Sequence, residues 1–260
     1  MYIVVTLRNR RGNLRRWCES IKNSFGPFTP VIVDYNSINP LDGSEDYLPD
    51  RSIIINAKGD PGIDYPEATL KNIGISMAKE PYSTIGCTNI DIVYQDRFWD
   101  EIYAMVDRCG GLVQAIRMDA PKGSTVTPNG EVFNAEGVSL ICQPSSQGVA
   151  LAYGDCQAML KADWDAVRGY NELMTGWGIL DNDLSSRCLQ HGLGVHVMGY
   201  KHNPTHIHGW HEEPPIEYRS RCNDRNMKIA MESYINSQWY DMWDYGTGKT
   251  QGIEWEVVRD

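Results

Sequence analysis

The chain has 260 residues, enough to bury the core of one large α/β domain, and its 42% hydrophobic and 22% charged residues are an ordinary globular composition. With 34 acidic against 24 basic residues the net charge is −10, which repels phosphate backbones and counts against a nucleic-acid-binding module. The seven cysteines are irregularly spaced with no C-x-x-C, the first residues do not form a signal peptide, and no stretch approaches the roughly 20 apolar residues of a membrane helix, so a cytoplasmic setting is expected.

Residues 2–6 are a short apolar, β-branched run and read as a buried strand. Residues 13–23 place Leu14, Trp17, Cys18 and Ile21 at helical spacing. A second strand over 31–33 ends in Asp34-Tyr35-Asn36-Ser37, and a third follows over 52–56. Residues 67–78 read as a helix, 83–86 as the start of a strand running into Asn89-Ile90-Asp91, and 98–106 as another helix. This alternation predicts right-handed crossovers and a mostly parallel sheet, with ligands beyond the carboxyl ends of its strands. Arg8-Asn9-Arg10, Asp34 and Asn89-Ile90-Asp91 all follow strands, so they are expected at one cleft.

The second half is less regular. Residues 123–136 are turn-rich and read as an excursion or mobile loop, suited to closing over a ligand. A short helix is expected over 162–168, a turn at Gly176-Trp177-Gly178, a helix over 182–191, and a long helix over 216–240 after the break at 212–215.

Three groups carry candidate chemistry. Asp91, with one or two of His206, His208 and His211, offers the carboxylate and imidazole ligands that Mn²⁺ accepts; Mg²⁺ would lean more on oxygen. Arg8 and Arg10 match phosphate oxygens in bidentate geometry. In Trp177-Gly178-Ile179-Leu180-Asp181-Asn182-Asp183 the glycine lets the indole lie against a flat sugar face. Asp181, opening a helix, suits a general base, although Asp181 or Asn182 could equally cap that helix.

These residues resemble a known group. Leu7-Arg8-Asn9-Arg10 through Leu14 and Trp17 resembles the F-R-N-R-x-x-x-L-x-x-W opening of the β-1,4-galactosyltransferases and related bacterial polymerases. The segment from Gly176 to Leu184, with Arg187, resembles their W-G-G-E-D-x-D segment. Asp34-Tyr35-Asn36-Ser37 and Lys71-Asn72-Ile73-Gly74 are similar to the D-D-x-S and R-N-x-G elements of family-2 glycosyltransferases. Asn89-Ile90-Asp91 stands where a D-x-D metal motif is expected, and His208-Gly209-Trp210-His211 looks like a late H-x-W-H metal element. The ordered set is more specific than any one motif.

The resemblance implies one GT-A domain over 1–260, a Rossmann-like, mostly parallel sheet flanked by helices. Residues 1–95 would bind the nucleotide sugar, 96–215 the acceptor, and 216–260 would be a helical extension. It further implies a metal-dependent glycosyltransferase using a nucleoside-diphosphate sugar, UDP being the expected nucleotide. Arg8, Arg10, Asp34, Asn72 and Asn89 would meet the donor; Trp177 and Gly178 the acceptor; Asp91 and His208 or His211 the metal; and Asp181 would be the base of an inverting transfer. The acceptor would be a saccharide, with a hydroxylated DNA base as the lesser choice. The alternatives are a retaining enzyme of the same fold, a nucleotidyltransferase and a non-catalytic sugar-binding module. Two departures stand out: Asn89 replaces the first acid of D-x-D, and Leu180 replaces the Glu of E-D.

Overall fold

A computed structural model describes residues 1–22, 26–144, 155–199, 205–235 and 243–260. In chain order the elements are β1 (Tyr2–Leu7), α1 (Arg11–Ile21), β2 (Thr29–Tyr35), β3 (Ile53–Lys58), α2 (Glu67–Ser76), β4 (Thr84–Thr88), β5 (Ile92–Tyr94), α3 (Phe98–Cys109), β6 (Leu112–Ala115) and β7 (Arg117–Asp119). There follow β8 (Thr125–Val126), β9 (Val132–Phe133), β10 (Gln143–Pro144), β11 (Cys156–Leu160), α4 (Lys161–Ala166), α5 (Leu180–Gln190), β12 (Val195–Met198), β13 (His206–His208), α6 (Ile216–Ile235) and β14 (Glu254–Arg259).

The main sheet has the order β12-β6-β11-β4-β1-β2-β3-β14. Its centre, β4-β1-β2-β3, is parallel, whereas β11 runs antiparallel between β4 and β6, and β14 lies antiparallel on β3. β1 shows why the sheet is two-sided. Ile3, Val5 and Leu7 pack with Leu14 and Trp17 of α1 and with Phe98 and Trp99 of α3. Val4, on the opposite face, packs with Ile73 of α2 and Trp164 of α4. A strand buried on both faces must read as a continuous apolar run, which is what residues 2–5 are.

The expected elements of the first half are present, with boundaries shifted by a few residues. Two readings of the second half are corrected. Residues 123–136 hold the β8–β9 hairpin rather than a free loop, and Val126 and Val132 are buried with Val93 and Ile207 in a small third cluster. In the 216–260 segment the described helix runs to Ile235; residues 236–240, where it was expected to continue, lie outside the described residues, and the segment ends in a strand, β14, which closes the edge of the main sheet. No described helix is long and apolar enough to cross a membrane.

A second sheet, β10-β7-β13-β5, stands beside the first. Its register sets His208 opposite both Ile92 and Asp119, and Gly209 N–H donates to the Asp91 carbonyl at 2.9 Å. Thus the chain after β4 and the chain after β13 are fastened together, although more than 100 residues separate them.

The approach of α2 to β1 depends on Gly74, where an added methyl would collide with Val4. Gly74→Ala should therefore destabilise the chain by about 1–3 kcal/mol, the usual cost of overpacking, and Val4→Ala in the same chain should recover part of the loss. Urea unfolding of the two variants tests this; wild-type stability in Gly74→Ala would show that α2 does not approach so closely.

Candidate active site

The parallel register brings Leu7 opposite Asp34 and Val5 opposite Thr88, so the segments after β1, β2 and β4 share one edge. Asn9, at φ +57, turns the chain between Arg8 and Arg10; left-handed backbone is tolerated by Asn better than by most residues. Its amide N–H donates to Ser37 Oγ and its Oδ1 accepts from Ile38 N–H, both at 2.8 Å. The edge opens into a cavity of about 370 Å³ whose lining includes Arg8, Arg10, Asn89, Asp91, Trp177, His208 and His211. Seven of the expected site residues therefore meet in one place.

Asp91 is the focus. Its Oδ2 lies 3.0 Å from His211 Nε2, 3.2 Å from Arg10 Nη1 and 3.7 Å from His208 Nε2. Burial opposes ionisation, but hydrogen bonds and charge from His208 and His211 outweigh it and hold the carboxyl well below the usual carboxylate range. In return, the bond to Asp91 raises the His211 pKa against the effect of its own burial. Asp91 Oδ1 is buried with no hydrogen-bond partner among the described residues. One oxygen and two imidazole nitrogens within 4.8 Å of one another, with an unsatisfied anionic oxygen among them, fit a divalent cation.

His206 is not part of this group. It shares a face of β13 with His208 but is fully buried and packs at a tilt against Phe98, with ring centroids 5.1 Å apart, and burial lowers its pKa to about 4.

Four expected residues do not line the cavity. Asp34 is 2% exposed and closes its own loop, accepting from Ser37 Oγ and from Leu41 N–H at 2.9 Å. Asn72 is wholly buried and clamps α2 to the chain near Tyr170: its amide donates to Tyr170 O and Glu172 Oε1 and accepts from Tyr170 N–H. Asn72 has its amide fully engaged, and Asp34 lies outside the cavity lining, so neither is placed at the cavity surface. Gly178 is needed for its backbone, at φ +86 beneath Asn223, while Gly176 lines the wall beside Trp177.

Asp181 is half-buried and is not a helix cap. α5 begins at Leu180 without a side-chain cap, and the preceding Ile179 adopts φ +70, a strained conformation for a β-branched residue. Burial pushes the Asp181 pKa up to about 7 against the pull of Lys71, with Glu67 reinforcing the rise. The ionised form expected from the helix dipole is therefore not favoured at neutral pH.

The sequence reading missed Glu67, Arg117, Asp155, Glu213 and Tyr218, which also line the cavity. None belongs to a motif. The polar Arg117 and Asp119 flanking Met118 in β7 give only a period-two hint. Also missed was the role of α6. Buried Asn226 donates its amide to the carbonyls of Thr175 (3.2 Å), Trp177 (3.3 Å) and Gly178 (3.0 Å), which fixes the Trp177 turn.

Two outcomes follow from this geometry. Asp91→Ala should abolish Mn²⁺ binding in titration calorimetry, and His208→Ala and His211→Ala should each weaken it; unchanged binding in all three would leave the cluster a structural one. Asn226→Ala should leave Mn²⁺ affinity intact but loosen the Trp177 turn, at a stability cost of about 1–3 kcal/mol for the Trp177 and Gly178 carbonyls losing this partner, Thr175 O keeping Arg225. Hydrogen exchange at residues 175–178 would report that loosening directly, and unaltered protection there would contradict it.

Comparison with known proteins agrees with the architecture. The family model for the N-terminal domain of galactosyltransferase matches residues 150–212. The catalytic domain of Drosophila β1,4-galactosyltransferase 7, solved in complex with xylobiose, is similar at 12% identity with a TM-score of 0.54, over 85% of this chain and 78% of that one. A mutant of the same Drosophila enzyme, in complex with manganese, UDP-Gal and xylobiose, is similar at 13% identity with a TM-score of 0.50 and the same coverage. No curated protein matches the chain in sequence. The mixed sheet, its polar edge and these likenesses together give the chain a GT-A glycosyltransferase fold that resembles the β-1,4-galactosyltransferases.

Proposed function

We propose that the chain is a Mn²⁺-dependent, inverting glycosyltransferase that moves a sugar from a UDP-sugar to a saccharide hydroxyl. The observation that carries this reading is the convergence of Asp91, His208 and His211, with Asp91 Oδ1 unsatisfied, on a cavity that Arg8, Arg10 and Trp177 also line. The donor and acceptor classes are taken from the Drosophila enzyme's complexes.

A divalent cation held by Asp91, His208 and His211 would supply positive charge against the leaving diphosphate. Arg8 and Arg10 add fixed positive charge at the same edge, where negative charge grows as the bond between the anomeric carbon and the phosphate oxygen breaks. Arg8 packs over Tyr35 at 6.0 Å, which limits its swing. Trp177, 37% exposed, offers an apolar face for the acceptor ring, with the Arg219 guanidinium 5.8 Å from its own centroid. The acceptor oxygen bonds to the anomeric carbon as its proton passes to Asp181, which does not itself line the cavity but lies within electrostatic reach of Glu67, Asp155 and Arg117, which do. A carboxyl with a pKa of about 7 suits that step, because a general base works best near the operating pH. Asp183 acts elsewhere. Its Oδ2 binds Arg187 Nε at 2.8 Å, both residues buried, so its loss would unfold rather than inactivate.

A screen for donor hydrolysis across nucleotide sugars, with and without Mn²⁺, tests the reaction class; the reading requires turnover of a UDP-sugar that chelation removes. Within that assay, wild-type kcat should rise with pH through about 7 as Asp181 loses its proton. Asp181→Asn should lower kcat by about 10²–10⁴ with little change in donor affinity. The stability effect has the opposite sign. A folded-state pKa above the free value of 3.8 means that stability falls as pH rises between about 4 and 7, so Asp181→Asn should melt no lower than wild type at pH 8. A full-rate Asp181→Asn enzyme would place the base elsewhere.

A further inference from the structure

We propose that Asp155 supplies the cavity carboxylate that position 89 lacks, and that it accepts hydrogen bonds from hydroxyl groups of the nucleotide sugar. The inference rests on the glycosyltransferase reading above. Asn89 is neutral and both ends of its amide are in use: Oδ1 accepts from Lys71 Nζ at 3.2 Å, and Nδ2 donates to Asp155 Oδ1 at 2.9 Å. It therefore brings no charge to the cavity that it lines. Asp155 lines the same cavity from the neighbouring strand, since Cys156 of β11 pairs with Thr88 of β4 and the residues just beyond them meet.

Asp155 is 7% exposed, and its charge is balanced by Arg117 Nη1, 2.8 Å from Oδ2. Each of its oxygens has one such partner and a carboxylate has about four acceptor positions, so capacity remains for donors from the cavity side. Hydroxyl groups are the ligand chemistry that fits: they donate to a carboxylate and carry no charge that Arg117 would repel. An acid at 89 would lie within hydrogen-bond distance of Asp155, where two like charges disfavour each other. The two positions therefore hold one carboxylate between them, and this chain carries it at 155.

The test uses Asp155→Asn, Asn89→Asp and the exchanged pair Asn89→Asp with Asp155→Asn, each titrated with UDP and with UDP-galactose in Mn²⁺, beside melting curves. Asp155→Asn should bind at least about tenfold more weakly, the scale of one charge-assisted hydrogen bond, and the exchanged pair should recover most of that loss because it restores one acid facing one amide. Weaker binding of both ligands would assign the contact to the ribose; weaker binding of UDP-galactose alone would assign it to the transferred sugar. Unchanged affinity in Asp155→Asn overturns the inference, as does an exchanged pair that regains wild-type melting but not affinity. A wild-type chain that binds neither ligand overturns the glycosyltransferase reading and this inference together.

Discussion

A buried lysine organises the floor of the cleft. Lys71 is 1% exposed, and burial alone would favour losing its proton. The charge and hydrogen bond of Glu67, 2.6 Å away, lead the effects that outweigh burial, so the ammonium stays charged. A buried charge must be paired, and satisfying this one commits its surroundings. Asn89 turns its oxygen to Lys71 and so its amide nitrogen to Asp155; Asp155 takes Arg117; Arg117 takes Asp119 at 2.7 Å; and His208 stands 3.7 Å from both Asp119 and Asp91. The orientation of each polar group from α2 to the candidate cation site follows from its neighbour, which is how an alternating network becomes rigid.

The same network concentrates cationic side chains at one place on an acidic chain. The net charge is −10, and Arg8, Arg10, Arg117, His208 and His211 line one cavity of about 370 Å³ together with Glu67, Asp91, Asp155 and Glu213, so the cavity gathers cationic side chains among acids that pair with Arg10 and Arg117. Fields in a low-dielectric cleft are set by the groups lining it more than by the distant surface. Arg10 shows the balance: it pairs with Asp91 in this arrangement, and its side chain is 45% exposed, leaving it room to turn towards a diphosphate.

Legibility in the sequence tracked the number of constraints on each segment. The parallel half was readable because strands such as β1 and β2 are buried on both faces and alternate with amphipathic helices such as α1. Asp91, His208 and His211 could be grouped from the sequence because a candidate cation site needs particular residue types, and the fold brings the three together. Asp34 and Asn72 misled for the same reason that they stood out: polar residues in apolar surroundings mark either a ligand or a structural clamp, and in both the backbone partners decide for the clamp. Asp155 and Asn226 left no signal and Arg117 only a period-two hint, because what they do depends on segments 38 to 66 residues away or on carbonyls that any sequence possesses.

The acceptor side follows from Leu180. Where the family pattern places Glu, this chain has a leucine that packs against the main core. That packing anchors the first turn of α5 and leaves Ile179 to absorb the strained φ +70 that the Trp177 turn demands. The strain is sustained by the three carbonyl contacts of Asn226 and by the ion pair of Arg225 with Asp64 at 2.8 Å, which fixes α6 against the chain before α2. An apolar side chain at 180 contributes no polar contact to the cleft, so polar selection passes to Glu67, Glu213 and Tyr218, which do line it. Two of these three belong to the chain between β13 and the middle of α6. On the proposed function, discrimination among acceptors would rest on a different stretch of chain from the one that carries the Trp177 turn, and α6 couples the two because Tyr218 and Asn226 lie on the same helix.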